Sequence, residues 1–490
     1  MSAPTGRSIL HHYRYLLIAI ALVVKGAYIA IAISEFKLAE APGRFNILAG
    51  DTDDYLDPIE NLLAGRGYAP DYRMPGVGAP YWVLRQFLDL PDSRDAMVFV
   101  QWVLSALSVY VLGLLALRIS GSERTGMVVY VLFLLSAYSS WYDAYLSSDS
   151  FSTSAIILGA HALQKAVDRR NQGLLVLAGA LLTWLVFLRP VFAALIPAAV
   201  FLLLRSKVWT RPLTATLIFL APFLVADGWW TFRNWRVNHT FSPLTNQGLM
   251  PNYLTNGIDG HAMSFLQCYG GFYIWWDPGA EIRWYGVWKG GAEVDDEGRL
   301  APPPPNYAIV PGYTRDSLFA LSERVRALAN LPPADSLAEV GRINAKFDHY
   351  AALYKEQAPF NYHVLSRLRM LWNQVDQHGA ESIIVRPFST LPWWLQLFKA
   401  TQPFFYLFAY SFGSIAVLAL LWNWRKAPTL LHIWAPMVVA FTTLIYPIVL
   451  RMCEWRYMVH QFPFALMLGI CSLASLFDRQ RNGPPRTADR

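Results

Sequence analysis

Four carboxylates lie within seven residues of one polar segment: Asp51, Asp53, Asp54 and Asp57. A carboxylate beside an attacking hydroxyl or amine can take its proton, so each is a candidate general base. Asp149, which precedes the apolar run at 151–163, is a candidate for orienting the same nucleophile. Acids at such positions also cap helices or stand solvated. The spacing alone leaves the catalytic and the structural interpretations open.

Five arginines lie in the polar connections between apolar runs, several of them beside the ends of those runs: Arg73, Arg233, Arg236, Arg451 and Arg456. A guanidinium stays charged and binds phosphate through paired donors, so several of them indicate an anionic ligand. The alternatives are contact with lipid phosphates through long side chains and ion pairing, for example with Glu454. Asn234 and Tyr457 accompany two of these arginines and are candidate supporting residues.

Long uncharged segments must position these groups, because hydrophobic residues make up 54% of 490 positions and charged residues only 15%. Soluble proteins carry about 25% charged residues. A membrane-spanning helix needs about 20 apolar residues. Such runs occur at 16–34, 96–117, 126–141, 213–230, 402–422, 430–450 and 458–477, and shorter ones occur at 151–163, 174–188 and 191–204. The sequence therefore predicts an all-α polytopic membrane protein with about ten spans.

Lys and Arg collect in alternate connections between these runs, which is the pattern of cytoplasmic loops. Ten spans place all of these clusters, and both termini, on the cytoplasmic side. A single broken helix over 174–204 would put the cluster from Arg205 to Arg211 outside, so the charge pattern argues against it. The predicted domains are a transmembrane module over 1–232 with a first outer loop at 35–95, a mainly helical outer domain over 233–398, and C-terminal transmembrane helices with a cytoplasmic tail over 399–490.

The two outer segments differ in composition. The first is acidic, with eleven carboxylates against six basic residues. The second begins with Trp275-Trp276 and a proline run at 302–305, which predict irregular structure. Ser336 and Glu339 match a capping box that opens a helix to about 357, and a second helix is predicted over 360–372. An interfacial segment is predicted at 391–397.

The distribution of charge, the cysteine spacing and the lack of certain motifs exclude several classes of protein. The net charge of +7 does not indicate nucleic-acid binding, because the basic residues are dispersed between apolar runs. Cys268, Cys453 and Cys471 show no metal or disulfide spacing. No P-loop, GxGxxG, HExxH or GxSxG motif occurs. Lys25, inside the first apolar run, is a candidate buried charge that snorkels or pairs with Asp227.

The polar clusters, in this order, resemble those of the GT-C superfamily of polyprenyl-phosphate-sugar glycosyltransferases. The likeness is to the bacterial branch with aminoarabinose transferases, lipopolysaccharide galacturonosyltransferases and protein mannosyltransferases, and it extends over nearly the whole chain. The residues that carry it are Asp51 with Tyr55; Gly65, Gly67 and Tyr68; Arg73, Pro75 and Gly76; Asp149; Arg189 and Pro190; Arg233, Asn234 and Trp235; and Glu454, Arg456 and Tyr457. Family members often have Arg-Pro-Pro-Gly-Tyr-Pro where this chain has Arg73-Met-Pro-Gly-Val-Gly.

The resemblance implies a role for each of these positions. Asp51 would be the catalytic base, in competition with Asp53 and Asp54, and Asp149 would position or activate the acceptor. The donor phosphate would be held by five residues: Arg73, Arg233, Arg456, Tyr55 and Tyr457. The supporting residues would be Asp53, Asp54, Asn234, Arg451 and Glu454.

The implied reaction moves a sugar from a polyprenyl-phosphate carrier to a lipid, glycan or protein acceptor at the outer face of a bacterial inner membrane. We expect no cofactor, although some relatives use a divalent metal, and no nucleic-acid partner. Two alternatives stay open: a transporter or flippase for lipid-linked sugars, and an oligosaccharide polymerase or ligase with a lipid diphosphate donor. A transporter would more often place charges near the bilayer midplane and show inverted repeats.

Overall fold

The structure is a computed structural model that describes residues 9–36, 44–48, 51–206, 208–244, 257–273, 280–286, 301–376, 384 and 386–482. Trp275-Trp276 and both predicted cytoplasmic termini, at 1–8 and 483–490, lie outside the described residues. The chain divides into two units. The first unit comprises Met1–Gln247, His378–Ala440 and Val459–Arg490, and the second unit comprises Gly248–Gln377 and Phe441–Met458.

The described secondary structure is helical, apart from one isolated β-bridge between Ile47 and Tyr145. The helices up to residue 238 are α1 Arg14–Phe36, α2 Thr52–Leu63, α3 Gly78–Arg85, α4 Leu90–Ser120, α5 Glu123–Leu135, α6 Ser148–Arg169, α7 Gln172–Leu188, α8 Leu195–Arg205 and α9 Pro212–Asn238. The later helices are α10 Ile258–Tyr269, α11 Arg315–Ala327, α12 Pro333–Gln357, α13 Ser366–Asp376, α14 Trp393–Trp422, α15 Leu431–Leu444 and α16 Phe462–Asn482. The chain is an all-α polytopic membrane protein, as predicted.

Five segments of the described chain are long and apolar enough to cross a membrane: Arg14–Ser34, Leu90–Ser120, Pro212–Asn238, Trp393–Trp422 and Leu431–Leu450. Three shorter apolar helices, Gln172–Leu188, Pro190–Arg205 and Phe462–Phe477, coincide with three further predicted spans. The span predicted at 126–141 is shorter than expected, because α5 ends at Leu135. The one predicted at 151–163 lies inside the 22-residue helix α6, whose first two turns are rich in buried Ser and Thr.

Close approach of backbones organises the first unit. Helix α7 packs along α6 and α9, and α14 packs along α16. At Gly179 of α7 an added Cβ would lie 2.1 Å from the carbonyl oxygen of Phe219 in α9. A residue without a side chain is therefore required at this crossing, as is common where membrane helices meet.

The second unit has an aromatic core. Phe265, Tyr269, Tyr285, Phe347 and Tyr354 are fully buried in it. Their rings contact one another edge-on or tilted, which is the preferred geometry of aromatic pairs. Helices α10 and α12 pack against each other and supply nine of the twenty buried residues of this core.

Two local predictions are corrected by the structure. The capping box at Ser336 is wrong, because α12 begins at Pro333 and Glu339 pairs with Arg324 and Arg342 at 2.5 and 2.9 Å. The pairing of Lys25 with Asp227 is also wrong, because Lys25 pairs with Asp143. The segment at 391–397, predicted to lead into the next span, continues into it, since α14 runs unbroken from Trp393. The helix predicted over 360–372 is confirmed. It consists of a π-helical turn at Asn361–Leu365 that continues into α13.

Candidate active site

Two of the clustered carboxylates flank one guanidinium. Asp51 directly precedes α2, yet its side chain makes no capping hydrogen bond. Instead Nη2 of Arg73 lies 3.5 Å from Oδ2 of Asp51 and 3.5 Å from Oδ2 of Asp54. All three side chains are about one-quarter to one-third exposed, so a ligand can reach them. Asp53 faces solvent.

The fourth carboxylate of the cluster, Asp57, is exposed. Partial desolvation and, next, the negative charge of Asp53 raise its pKa above its ordinary value, and Arg94 opposes this shift. Asp53 and Asp57 thus both lie on the exposed side of α2.

Tyr55 connects α2 to the beginning of α6. Its side chain is buried, its hydroxyl lies 3.1 Å from Oγ of Ser148, and the guanidinium carbon of Arg73 lies 5.0 Å from the centre of its ring. One turn earlier, Thr52 donates a hydrogen bond of 3.0 Å to the carbonyl of Leu146. These contacts bring the Asp51 segment to the residues that surround Asp149.

Asp149 is buried and forms an ion pair with Arg189. Asp149 is not the N-cap of α6. The N-cap is the nearby Ser147, whose Oγ also donates to Oδ2 of Asp149 at 3.1 Å. Sequence reasoning noted Arg189 only as part of an Arg-Pro turn and missed this contact. The available signal was an arginine at the end of an apolar helix, where a charge needs a partner.

Gly76 holds the Arg73 segment against the same end of α7. Nε1 of Trp184 donates to the carbonyl of Gly76 at 2.9 Å. A Cβ at residue 76 would lie 2.4 Å from the carbonyl carbon of Phe187 and 2.5 Å from the amide nitrogen of Leu188. The residue following Leu188 is Arg189, so this approach places the Arg73 segment next to the partner of Asp149.

Arg233 contacts two residues that precede Arg73 in the chain. Its Nη1 lies 2.6 Å from Oδ2 of Asp71 and its Nη2 donates to the carbonyl of Tyr68 at 2.8 Å. The Tyr68 hydroxyl in turn donates to the carbonyl of Arg73 at 3.0 Å. Asn234, fully buried, accepts a bond from Arg233 and donates to the carbonyl of Ser242. The expected phosphate contact of Arg233 stays a prediction, and the observed contacts position Arg73.

A buried ion pair of Lys25 and Asp143 is connected to the helical turn that carries Asp149. Nζ of Lys25 is 3.4 Å from Oδ2 of Asp143, and both side chains are essentially inaccessible. Asp143 also accepts hydrogen bonds from Ser105 at 2.7 Å and from Ser150 at 2.6 Å. Since Ser150 follows Asp149 directly, this network fixes the first turn of α6.

His460 is a second residue that sequence reasoning missed. It is fully buried, its Nε2 lies 2.6 Å from Oγ of Ser152, and its ring packs edge-on against Phe192. Ser152 stands one turn after Ser148 in α6. No motif surrounds His460, so only the tertiary contact identifies it.

The C-terminal candidates Glu454, Arg456 and Tyr457 belong to the second unit. Glu454 and Arg456 form an ion pair, as the pairing alternative anticipated. Tyr457 stacks on Tyr446 with ring centres 4.1 Å apart. The phosphate contacts expected of Arg456 and Tyr457 stay predictions.

Among the described residues, no group of three or more His, Cys, Asp or Glu side chains is arranged to hold a metal ion. Asp51 and Asp54, the closest candidates for shared ligands, have Arg73 between them. This donor set does not fit a divalent cation while the guanidinium is in place.

Comparison with solved structures gives a distant likeness. No family model and no curated protein matches the chain. The solved structure of the archaeal oligosaccharyltransferase AglB from Archaeoglobus fulgidus, in complex with an inhibitory peptide and a dolichol-phosphate, is similar with a TM-score of 0.45 and 11% identity over 98% of this chain and 53% of that chain. The chain thus spans about half the length of that protein.

Proposed function

We propose that the chain is a GT-C-type membrane glycosyltransferase that moves a sugar from a polyprenyl-phosphate donor to an acceptor hydroxyl or amine. The observation that carries the proposal is the placement of Arg73 between Asp51 and Asp54, beside the Tyr55–Ser148 contact. Acids and guanidinium groups from segments around residues 51, 73, 149 and 189 are thereby linked through a few contacts. The motif resemblance described above points to the same residues.

The chemistry requires a base and a cation in one place. The acceptor oxygen or nitrogen attacks the anomeric carbon, and its proton passes to the carboxylate of Asp51. The bond between the anomeric carbon and the phosphate oxygen breaks, and the electron pair leaves with the polyprenyl phosphate. Arg73 would stabilise the negative charge that develops on that phosphate.

The partly exposed position of Arg73 suits this role better than those of the other predicted phosphate ligands. Its ion pairs are 3.5 Å long, so an arriving phosphate can compete with the carboxylates for its donors. Arg233 and Arg456 are instead paired closely with Asp71 and Glu454. We therefore assign Arg73 to the donor phosphate and Arg233 to the support of Arg73.

The buried pair of Asp149 and Arg189 suits positioning of the acceptor. Asp149 has little access to solvent, so it is poorly placed to act as a second proton acceptor that exchanges protons with bulk water. Its neighbour Ser148 touches Tyr55, which lies against Arg73. Movement of the Asp149 turn would consequently shift the groups around the reacting atoms.

The test is transfer by the purified chain in lipid nanodiscs supplied with undecaprenyl-phosphate-linked sugars and candidate acceptors, with released undecaprenyl phosphate as the readout. We expect Asp51→Asn to lower the rate by about 100-fold or more, as for loss of a general base. Asp53→Asn is the matched control, because Asp53 faces solvent in the same turn. Equal rates for wild type and Asp51→Asn would remove Asp51 as the base, and an Asp54→Asn effect would reassign the role.

The same assay separates the alternatives. A flippase would move the labelled donor between leaflets of a vesicle without releasing undecaprenyl phosphate. A polymerase or ligase would require a diphosphate-linked donor and release undecaprenyl diphosphate. Either result would replace the proposed reaction.

A further inference from the structure

Three cations of the second unit surround Tyr362. The guanidinium carbon of Arg451 lies 3.9 Å from the centre of the Tyr362 ring, and Nζ of Lys355 lies 5.5 Å from it. Arg367 donates to the carbonyl of Tyr362 at 2.9 Å. Such cation–aromatic contacts are favourable, but they leave the positive charges without counter-ions.

Among the described residues, no carboxylate lies within ion-pair distance of these three side chains. Within the described ranges Arg367 bonds to three carbonyl oxygens, those of Ile448, Tyr362 and His363. Its pKa is lowered, first by burial and then by the charge of Arg451, so the two guanidinium groups are close enough to repel each other. An anion bound here would relieve this repulsion.

The backbone of Arg451 is held in an uncommon conformation. Its φ is +53°, in the left-handed region that residues other than glycine rarely adopt. The Tyr273 hydroxyl donates to its carbonyl at 2.8 Å, and the amide of Met452 donates to the carbonyl of Tyr446 at 2.9 Å. This conformation is the left-handed C-cap that ends the helical turn Ile445–Leu450, and the two hydrogen bonds fix the point from which the guanidinium extends.

Two features identify the source of the anion as a lipid. Arg451 directly follows the apolar segment Leu431–Leu450, which is long enough to cross a membrane, so it stands at the depth of lipid phosphates. Beside the cations, exposed apolar side chains recur every four residues at Phe360, Val364, Leu368 and Trp372. A stripe of this kind next to basic groups suits the boundary between headgroups and acyl chains.

We propose that Lys355, Arg367 and Arg451 bind the phosphate of an anionic membrane lipid. This site goes beyond the proposed transfer reaction and does not depend on it, because none of its residues contributes to the Asp51 cluster. It would hold the second unit at the membrane surface through charge-assisted hydrogen bonds to phosphate oxygens.

The experiment compares full-length protein in nanodiscs of phosphatidylglycerol and of phosphatidylcholine. Lysine acetylation, read by mass spectrometry, reports the accessibility of Lys355, and Lys346, which is exposed on the same helix, is the internal control. We expect Lys355 to be several-fold less reactive in phosphatidylglycerol and Lys346 to be unchanged. Equal protection by inorganic phosphate in phosphatidylcholine nanodiscs would overturn the assignment to a lipid.

The deciding variant is Arg451→Gly, which removes the guanidinium and suits the left-handed backbone, so the fold is retained. We expect it to weaken binding of phosphatidylglycerol, counted by native mass spectrometry, by about tenfold or more. Arg342→Gln, at an exposed arginine of the same unit, should leave binding unchanged. Unaltered lipid retention in Arg451→Gly, or equal loss in Arg342→Gln, would refute the site.

Discussion

Arg189 binds the carboxylate of Asp149 across forty residues of sequence, in a pair whose side chains are 12% and 2% exposed. A buried charge pair contributes little net stability, but removal of one partner leaves the other charge buried without compensation. The contact therefore ties the end of α7 to the first turn of α6 and makes each residue depend on the other.

We expect Arg189→Leu to lower the free energy of unfolding by about 3–5 kcal/mol, because the Asp149 carboxylate would stay buried without its partner. Thermal unfolding in detergent measures this loss, and transfer activity should fall with it. Arg66→Gln, at an exposed arginine bonded to Asn61, is the control and should change neither quantity. A stable and active Arg189→Leu protein would show that Asp149 needs no cation.

We expect Gly76→Ala to lower transfer activity more than it lowers the free energy of unfolding of the whole chain. The new methyl group would meet the backbone of Phe187 at 2.4 Å, so the Arg73 segment must move away from the end of α7. We expect at least a tenfold loss of transfer, since small displacements of positioning groups have large effects on rate. Gly228→Ala is matched, because no atom lies within 4 Å of its added Cβ, and it should retain full activity.

Lys25→Met should destabilise the first unit through Asp143. The substitution leaves a buried carboxylate with two serine donors and no cation, at a cost of about 3–5 kcal/mol. The double variant Lys25→Met/Asp143→Asn removes both charges and should recover most of the loss. If the double variant unfolds as easily as the single one, packing of the lysine rather than charge pairing is responsible.

Glu281 should make the stability of the second unit depend on pH. Burial, opposed by a hydrogen bond from Tyr269, raises its pKa from 4.5 to about 7. Between these values the folded protein binds more protons than the unfolded chain, so stability falls as pH rises from about 4.5 to about 7 and levels off above.

Hydrogen exchange in α10 at pH 5 and pH 8 measures this dependence. We expect the wild type to lose about 2–3 kcal/mol of protection between the two conditions. Glu281→Gln should be nearly independent of pH over that range, whereas Glu356→Gln, at an exposed carboxylate, should behave as the wild type does. A pH dependence that persists in Glu281→Gln would have to come from another group.

The helical, membrane-spanning character was predictable because apolar length is a local property. The association of Asp51, Tyr55 and Arg73 could also be anticipated, since they share one loop and one motif. Arg189, Asp143 and His460 could not, because their roles arise from partners 40 or more residues away that no spacing reveals. The capping box at Ser336 failed because α12 begins one turn earlier, at Pro333, and Glu339 pairs with Arg324 instead.

Two predicted spans, at 126–141 and 151–163, differ from the observed helices in length and polarity. Helix α6 is long enough to cross a membrane, but its serine-rich first turns are buried against neighbouring helices rather than exposed to lipid. Helix α5 ends early, and the residues after it form a short turn that carries Asp143. Sequence hydropathy cannot distinguish burial in lipid from burial in protein.

The three cysteines are all unbonded and buried. Burial raises the pKa of the Cys268 thiol to about 11 and that of Cys453 to about 12, so both are almost entirely protonated at neutral pH and react slowly with maleimides. Reporter thiols introduced one at a time into the natural sequence would consequently be labelled against a low background. Impermeant reagents could then assign each connecting loop to its side of the bilayer without first constructing a cysteine-free protein.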